Sequence, residues 1–204
     1  MTLTRRLILA GALAAPAGGC ALLSSPDPVQ LYRFGQSAAA GANAAARERV
    51  TVLYTGTSLP RAAGGDRILT ASGPEVSYVG ASRWSSPAVV LFEEAVVRGF
   101  EGTAVRLVRR GATSRADATL RIEVRTFEAR YAAPDTPPTI VIESRALLTP
   151  VTIAAELIDA DFSVQSLASE NRVTAIAQAF DAATSDLVAQ VVAWTSATAG
   201  PVQA

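Results

Sequence analysis

Hydrophobic positions fall along the chain in two distinct rhythms. From Asp117 to Phe127, Ala118, Leu120, Ile122 and Val124 alternate with Thr119, Arg121, Glu123 and Arg125. That period of two predicts a strand with one buried face and one wet face. Val89, Phe92, Val96 and Phe100 instead recur three and four residues apart, with Glu93, Glu94, Arg98 and Glu101 off the stripe. This predicts an amphipathic helix, opened by Ser86 at the cap and Pro87 at the first helical position. Glu94 and Arg98 form a favourable i,i+4 pair on it. A second helix is predicted at the C-terminal end, where Val173, Ile176, Phe180, Leu187, Val191 and Trp194 keep the same spacing.

Shorter apolar runs read as strands at Leu31–Phe34, Arg49–Tyr54, Arg67–Thr70 and Glu75–Val79, the last two joined by Gly73-Pro74. Residues 36–46 are rich in Ala and Gly without periodicity and read as a loop or weak helix. Beyond the breaker Pro134-Asp135-Thr136-Pro137-Pro138, runs at Thr139–Leu148 and Val151–Ile158 flank Thr149-Pro150. Asp159-Ala160-Asp161 reads as a hairpin turn before a last run, Phe162–Leu167. One-sided strands with two helices predict the α/β (α+β) class: a two-layer sandwich whose sheet is mainly antiparallel, has four to six strands and carries both helices on one face.

The N-terminus follows neither rhythm. Arg5-Arg6, an apolar stretch from Leu7 to Ala17, and Gly18-Gly19-Cys20 have the three parts of an export signal. The apolar stretch is too short to span a bilayer, which takes about 20 residues. The sole Cys stands directly after small residues, and the segment resembles a bacterial lipobox, with Ala17 where such motifs usually carry Leu. An ordinary signal with a chance Cys is the alternative. The lipobox reading places cleavage after Gly19 and a diacylglycerol and an N-acyl chain on Cys20, more than the two anchoring signals stable attachment needs. Arg5-Arg6 also resembles a twin-arginine export signal. The residue after the Cys is Ala21 and not Asp, which by resemblance to proteobacterial lipoproteins implies the periplasmic face of the outer membrane. The expected organisation is a signal peptide at 1–19, a lipidated tether at 20–29 and a single domain at 30–204.

Composition removes several kinds of chemistry. The 204 residues contain no His, which excludes a Ser-His-Asp or Cys-His pair and any His-ligated zinc or haem within this chain. All 18 basic residues are Arg, and loss of Arg5 and Arg6 leaves 16 against 18 acidic residues. Such a balance gives no footprint for nucleic acid. Gly64-Gly65 has neither a Walker lysine nor dinucleotide-binding spacing. Asp159 and Asp161 could share a strand face and hold a hard cation, although Asp is common in turns for backbone reasons. Glu93 and Glu94 diverge on a helix and are expected to be solvated. No catalytic or metal site and no cofactor is therefore assigned. Arg83-Trp84, with Tyr78 before them, fit either a partner interface or a core plug with Arg83 stacked on it.

Several segments in order resemble one family: Leu31-Tyr32-Arg33-Phe34, Asp66-Arg67-Ile68-Leu69, Tyr78, Arg83-Trp84-Ser85-Ser86-Pro87, Leu120-Arg121-Ile122-Glu123-Val124, Phe127-Glu128, Glu156-Leu157-Ile158-Asp159-Ala160 and Ala193-Trp194. The chain resembles the ABC-type transport auxiliary lipoproteins (paraquat-inducible protein C-like). The resemblance implies a non-catalytic lipoprotein working with a mammalian-cell-entry-type substrate-binding protein, an ABC permease and an ATPase that move lipids or other hydrophobic molecules across the envelope. It is compatible with homo-oligomeric rings. Two alternatives stay open: a structural or outer-membrane assembly lipoprotein, and a hydrolase working through a carboxylate or a Ser/Thr hydroxyl.

Overall fold

The computed structural model describes residues 28–38, 50–112, 114–152 and 156–199. Gly19, Cys20 and the remainder of the expected signal, like most of 36–46, lie outside them.

The alternating segment forms the central strand β7 (Ala118–Arg130). Along its whole length it pairs antiparallel with β8 (Thr139–Pro150), which pairs antiparallel with β9 (Ile158–Leu167). The other edge of β7 is shared by two parallel neighbours: β2 (Val50–Ser58) on its first half and β3 (Leu69–Ser72) near its end. Beyond β3 lies antiparallel β4 (Glu75–Tyr78), and beyond β2 lies parallel β6 (Val105–Arg109). A separate parallel ribbon joins β1 (Gln30–Tyr32) to β5 (Ser82–Trp84).

Two helices, α1 (Ala88–Gly99) and α2 (Val173–Thr198), cover the sheet, as the α+β class requires. The sheet is mixed and has seven strands, more than the expected four to six. The parallel ladders follow from connectivity: α1 lies between β2 and β6 in the chain, and a helical crossover brings the returning strand in parallel. Hydropathy alternation reports which face is buried and does not report strand direction.

Local differences from the sequence reading have physical causes. Helix α1 starts one residue later than expected, with Pro87 extended (φ −49°, ψ 137°) and no side-chain cap. The carbonyls of Gly65 and Gly64 instead accept from Ala88 N (2.8 Å) and Val89 N (3.4 Å). These are two of the orphan donors that any helix start leaves. Asp159-Ala160-Asp161 is not a turn. It lies within β9, where alternation sets both carboxylates on the outer face beside arginines. Pro150 closes β8 opposite Ala118, so a separate strand from Val151 does not form among the described residues.

One continuous core lies between sheet and helices, with Leu120, Ile122, Ile140, Ile142 and Leu148 facing Phe92, Phe180 and Leu187. The helices touch each other where Gly99 meets Val188, and a Cβ at Gly99 would collide with Val188 Cγ1. An aromatic cluster fastens the β1–β5 ribbon to this core. Trp84 packs edge-on against Phe34 (4.9 Å) and Phe180 (5.2 Å), and Phe127 closes the group at 4.9 Å from Phe180.

Candidate interaction site

Tyr78, Arg83 and Trp84, named from the sequence as an interface or core plug, meet around one loop. Residues 59–68, between β2 and β3, turn at Pro60, whose carbonyl accepts from Ala63 N and Gly64 N. They are then laced to their neighbours: Gly65 O to α1, and Asp66 O to Trp84 N at 2.7 Å. On the outside of this lacing, Arg83 Nη1 meets both carboxylate oxygens of Asp66 at 3.1–3.2 Å. The Arg67 guanidinium lies 3.6 Å from the Tyr78 ring centroid, a cation–π contact. The Tyr78 hydroxyl donates to Ala62 O at 3.2 Å.

Trp84 stands apart from these two. It is 2 % exposed and belongs to the aromatic cluster, so an exposed hot-spot role for it is corrected here to a core position. The reason is strand alternation in β5: Trp84 and its register partner Tyr32 point inward, while Arg83 and its partner Leu31 point outward. Arg83 does not stack on Trp84; its partner is Asp66. The structure thus brings Tyr78 and Arg83 to one surface and seats Trp84 beneath it.

The acidic residues considered for chemistry are otherwise engaged. Asp159 pairs with Arg145 (2.8 Å) and Asp161 with Arg125 (2.6 Å) on the outer sheet face, which leaves no shared site for a cation. Among the described residues no cluster of three metal-ligating side chains occurs. Glu93 is not simply solvated. Its Oε1 accepts from Thr57 N at 3.0 Å, where β2 bulges between Tyr54 and Gly56 and Gly56 takes φ +117°. That backbone conformation suits only glycine, and the carboxylate of α1 clamps the irregularity it creates. Beside it the Tyr54 hydroxyl bonds Thr57 Oγ1, and burial holds its phenol well above the ordinary value, so it is a neutral group. Glu94 is exposed and forms no ion pair with Arg98, which donates instead to Gly35 O.

An open hollow of about 630 Å³ lies at the β3–β4 end, lined by Thr70, Ser77, Glu75, Tyr131, Asp135 and Asn171. The Tyr131 hydroxyl donates to Asn171 Oδ1 at 2.9 Å, and partial burial raises its phenol. Sequence reading gives no sign of this hollow because its walls come from the β3–β4 hairpin, the loop after β7 and the loop before α2, which are far apart in the chain. Among the described residues no helix is long and apolar enough to cross a membrane.

Comparison with known proteins gives a consistent picture. The sequence profile described as the ABC-type transport auxiliary lipoprotein component matches residues 32–192. A crystal structure of a protein from Xanthomonas campestris is similar at 24 % identity and TM-score 0.69, covering 83 % of this chain and 96 % of that one. A hypothetical protein from Chlamydia trachomatis is similar at 9 % identity and TM-score 0.51, covering 74 % and 98 %. At these identities the likeness shows the fold. A comparison with curated proteins finds no match.

Proposed function

The chain belongs to the ABC-type transport auxiliary lipoproteins, and from that membership we propose that it works as a lipid-anchored periplasmic component of a mammalian-cell-entry-type transport system. It acts by holding on to its transporter partners, an ABC permease, its ATPase and the substrate-binding protein, while lipids or other hydrophobic molecules cross the envelope. The observation that carries this reading is the family match across residues 32–192, which spans nearly all the described structure. The family's auxiliary place in transport supports a role without catalysis.

In this reading Cys20 carries the diacylglycerol and N-acyl chains after cleavage at Gly19, and Ala21 directs the protein to the outer membrane. Tyr78 and Arg83 belong to an interaction face, with Trp84 as its buried support. The test is affinity capture of the intact protein after membrane extraction. Recovery of a permease, an ATPase and a mammalian-cell-entry-type protein is the expected result. Recovery of outer-membrane assembly factors alone would replace the transport reading with an assembly one. Cys20→Ala should move the protein from the membrane to the soluble periplasmic fraction.

A further inference from the structure

One region gathers positive charge in a chain whose total is near neutral. The outer face of the β1–β5 ribbon carries Leu31 and Arg83, which are register partners, and Arg33 follows on the same side by alternation. The adjoining loop adds Arg61 and Arg67, the first beside Ala62 and the second over the Tyr78 ring. Asp66 neutralises Arg83. Arg33, Arg61 and Arg67 are exposed and form no ion pair among the described residues. Between these charges stand exposed apolar side chains, Leu31 at 65 % and Val29 at 47 %.

Guanidinium groups around protruding aliphatic side chains match the two layers of an anionic membrane surface. Phosphates take the charge, and the headgroup boundary takes the apolar groups. Chain length supports the same occupant. Val29 follows Cys20 by nine residues, a reach of at most about 30 Å even when fully extended. An acylated Cys20 therefore keeps this face within that distance of the bilayer.

We propose that the outer face of the β1–β5 ribbon, with Arg61 and Arg67, docks flat on a bilayer containing anionic phospholipid. This takes its placement from the lipidation of Cys20 in the reading above and adds a lipid contact beside the partner face of Tyr78 and Arg83.

The experiment uses the mature chain carrying Cys20→Ala, so that no acyl chain contributes. It is sedimented with vesicles of phosphatidylethanolamine mixed with phosphatidylglycerol, and with vesicles of phosphatidylcholine alone. Binding to the anionic vesicles only is expected, weakening as salt rises. The double variant Arg33→Glu/Arg67→Glu should lower it more than tenfold, since each arginine near such a surface is worth about fivefold. Leu31→Asp should also weaken it. Arg106→Glu/Arg110→Glu, with the same charge change at the β6 edge, should bind as the parent does. Absence of binding, equal binding to both vesicles, or equal losses in the two double variants would overturn the proposal. A protein partner that shields Arg33 and Arg67 in place of lipid would do so too. Failure of the anchor reading shows separately, as a wild-type protein found in the soluble fraction, and leaves the vesicle result intact.

Discussion

The two faces of the β7–β8–β9 hairpins share the same strands and the same backbone ladder, yet they do different work. Inward, Leu120, Ile122, Ile140, Ile142 and Leu148 are sealed under the helices. Outward, Arg121, Glu123, Arg125, Arg145, Asp159 and Asp161 form three separate ion pairs in water. Burial of apolar area is worth about 25 cal/mol per Å², whereas an exposed ion pair contributes roughly 0–1 kcal/mol. The fold is therefore held from the inner side. The outer pairs, one within β7, one between β8 and β9 and one reaching from β7 to β9, keep a broad sheet face polar.

Three substitutions sharpen that contrast. Trp84→Ala removes the ring by which the ribbon meets Phe34 and Phe180 and should cost about 3–5 kcal/mol, read by urea unfolding. A cost as small as a surface change would mean that the β1–β5 ribbon is not fastened by packing. Gly99→Leu forces α1 away from Val188 and should cost about 1–3 kcal/mol through overpacking, with a lowered Tm. Arg145→Ala removes one partner of Asp159 on the wet face and should change stability by no more than about 1 kcal/mol. A large loss there would show that the outer ion pairs do more than keep this face polar.

The same contrast explains what could be read before the structure was known. The stripe of Phe92, Val96 and Phe100 and the alternation of β7 were legible because burial on one side imposes a period on nearby residues. Leu91 and Ala95 of α1 fall outside that stripe, since α1 is covered over a wider arc once the segment at Gly35 packs against Ala95 and α2 against Gly99. Strands β5 and β6 gave little signal: one is three residues long and the other five, too short for a period to stand out. Arg83 and Tyr78 could be named from sequence, but Asp66 and Arg67 complete their surroundings only through the loop that brings them together.

By itself the sequence determined which side of each long strand and helix is apolar, the α+β class, the absence of histidine chemistry and the family to which the segments belong. Those are properties of composition and short-range spacing. Only the tertiary structure decided that β2, β3 and β6 run parallel to their neighbours, that Glu93 clamps a bulge at Gly56, and that Trp84 lies beneath its surface while Arg83 stands on it. Each of these depends on which distant segments meet, and that is set by crossover connections and close packing across the whole core, which no local pattern encodes.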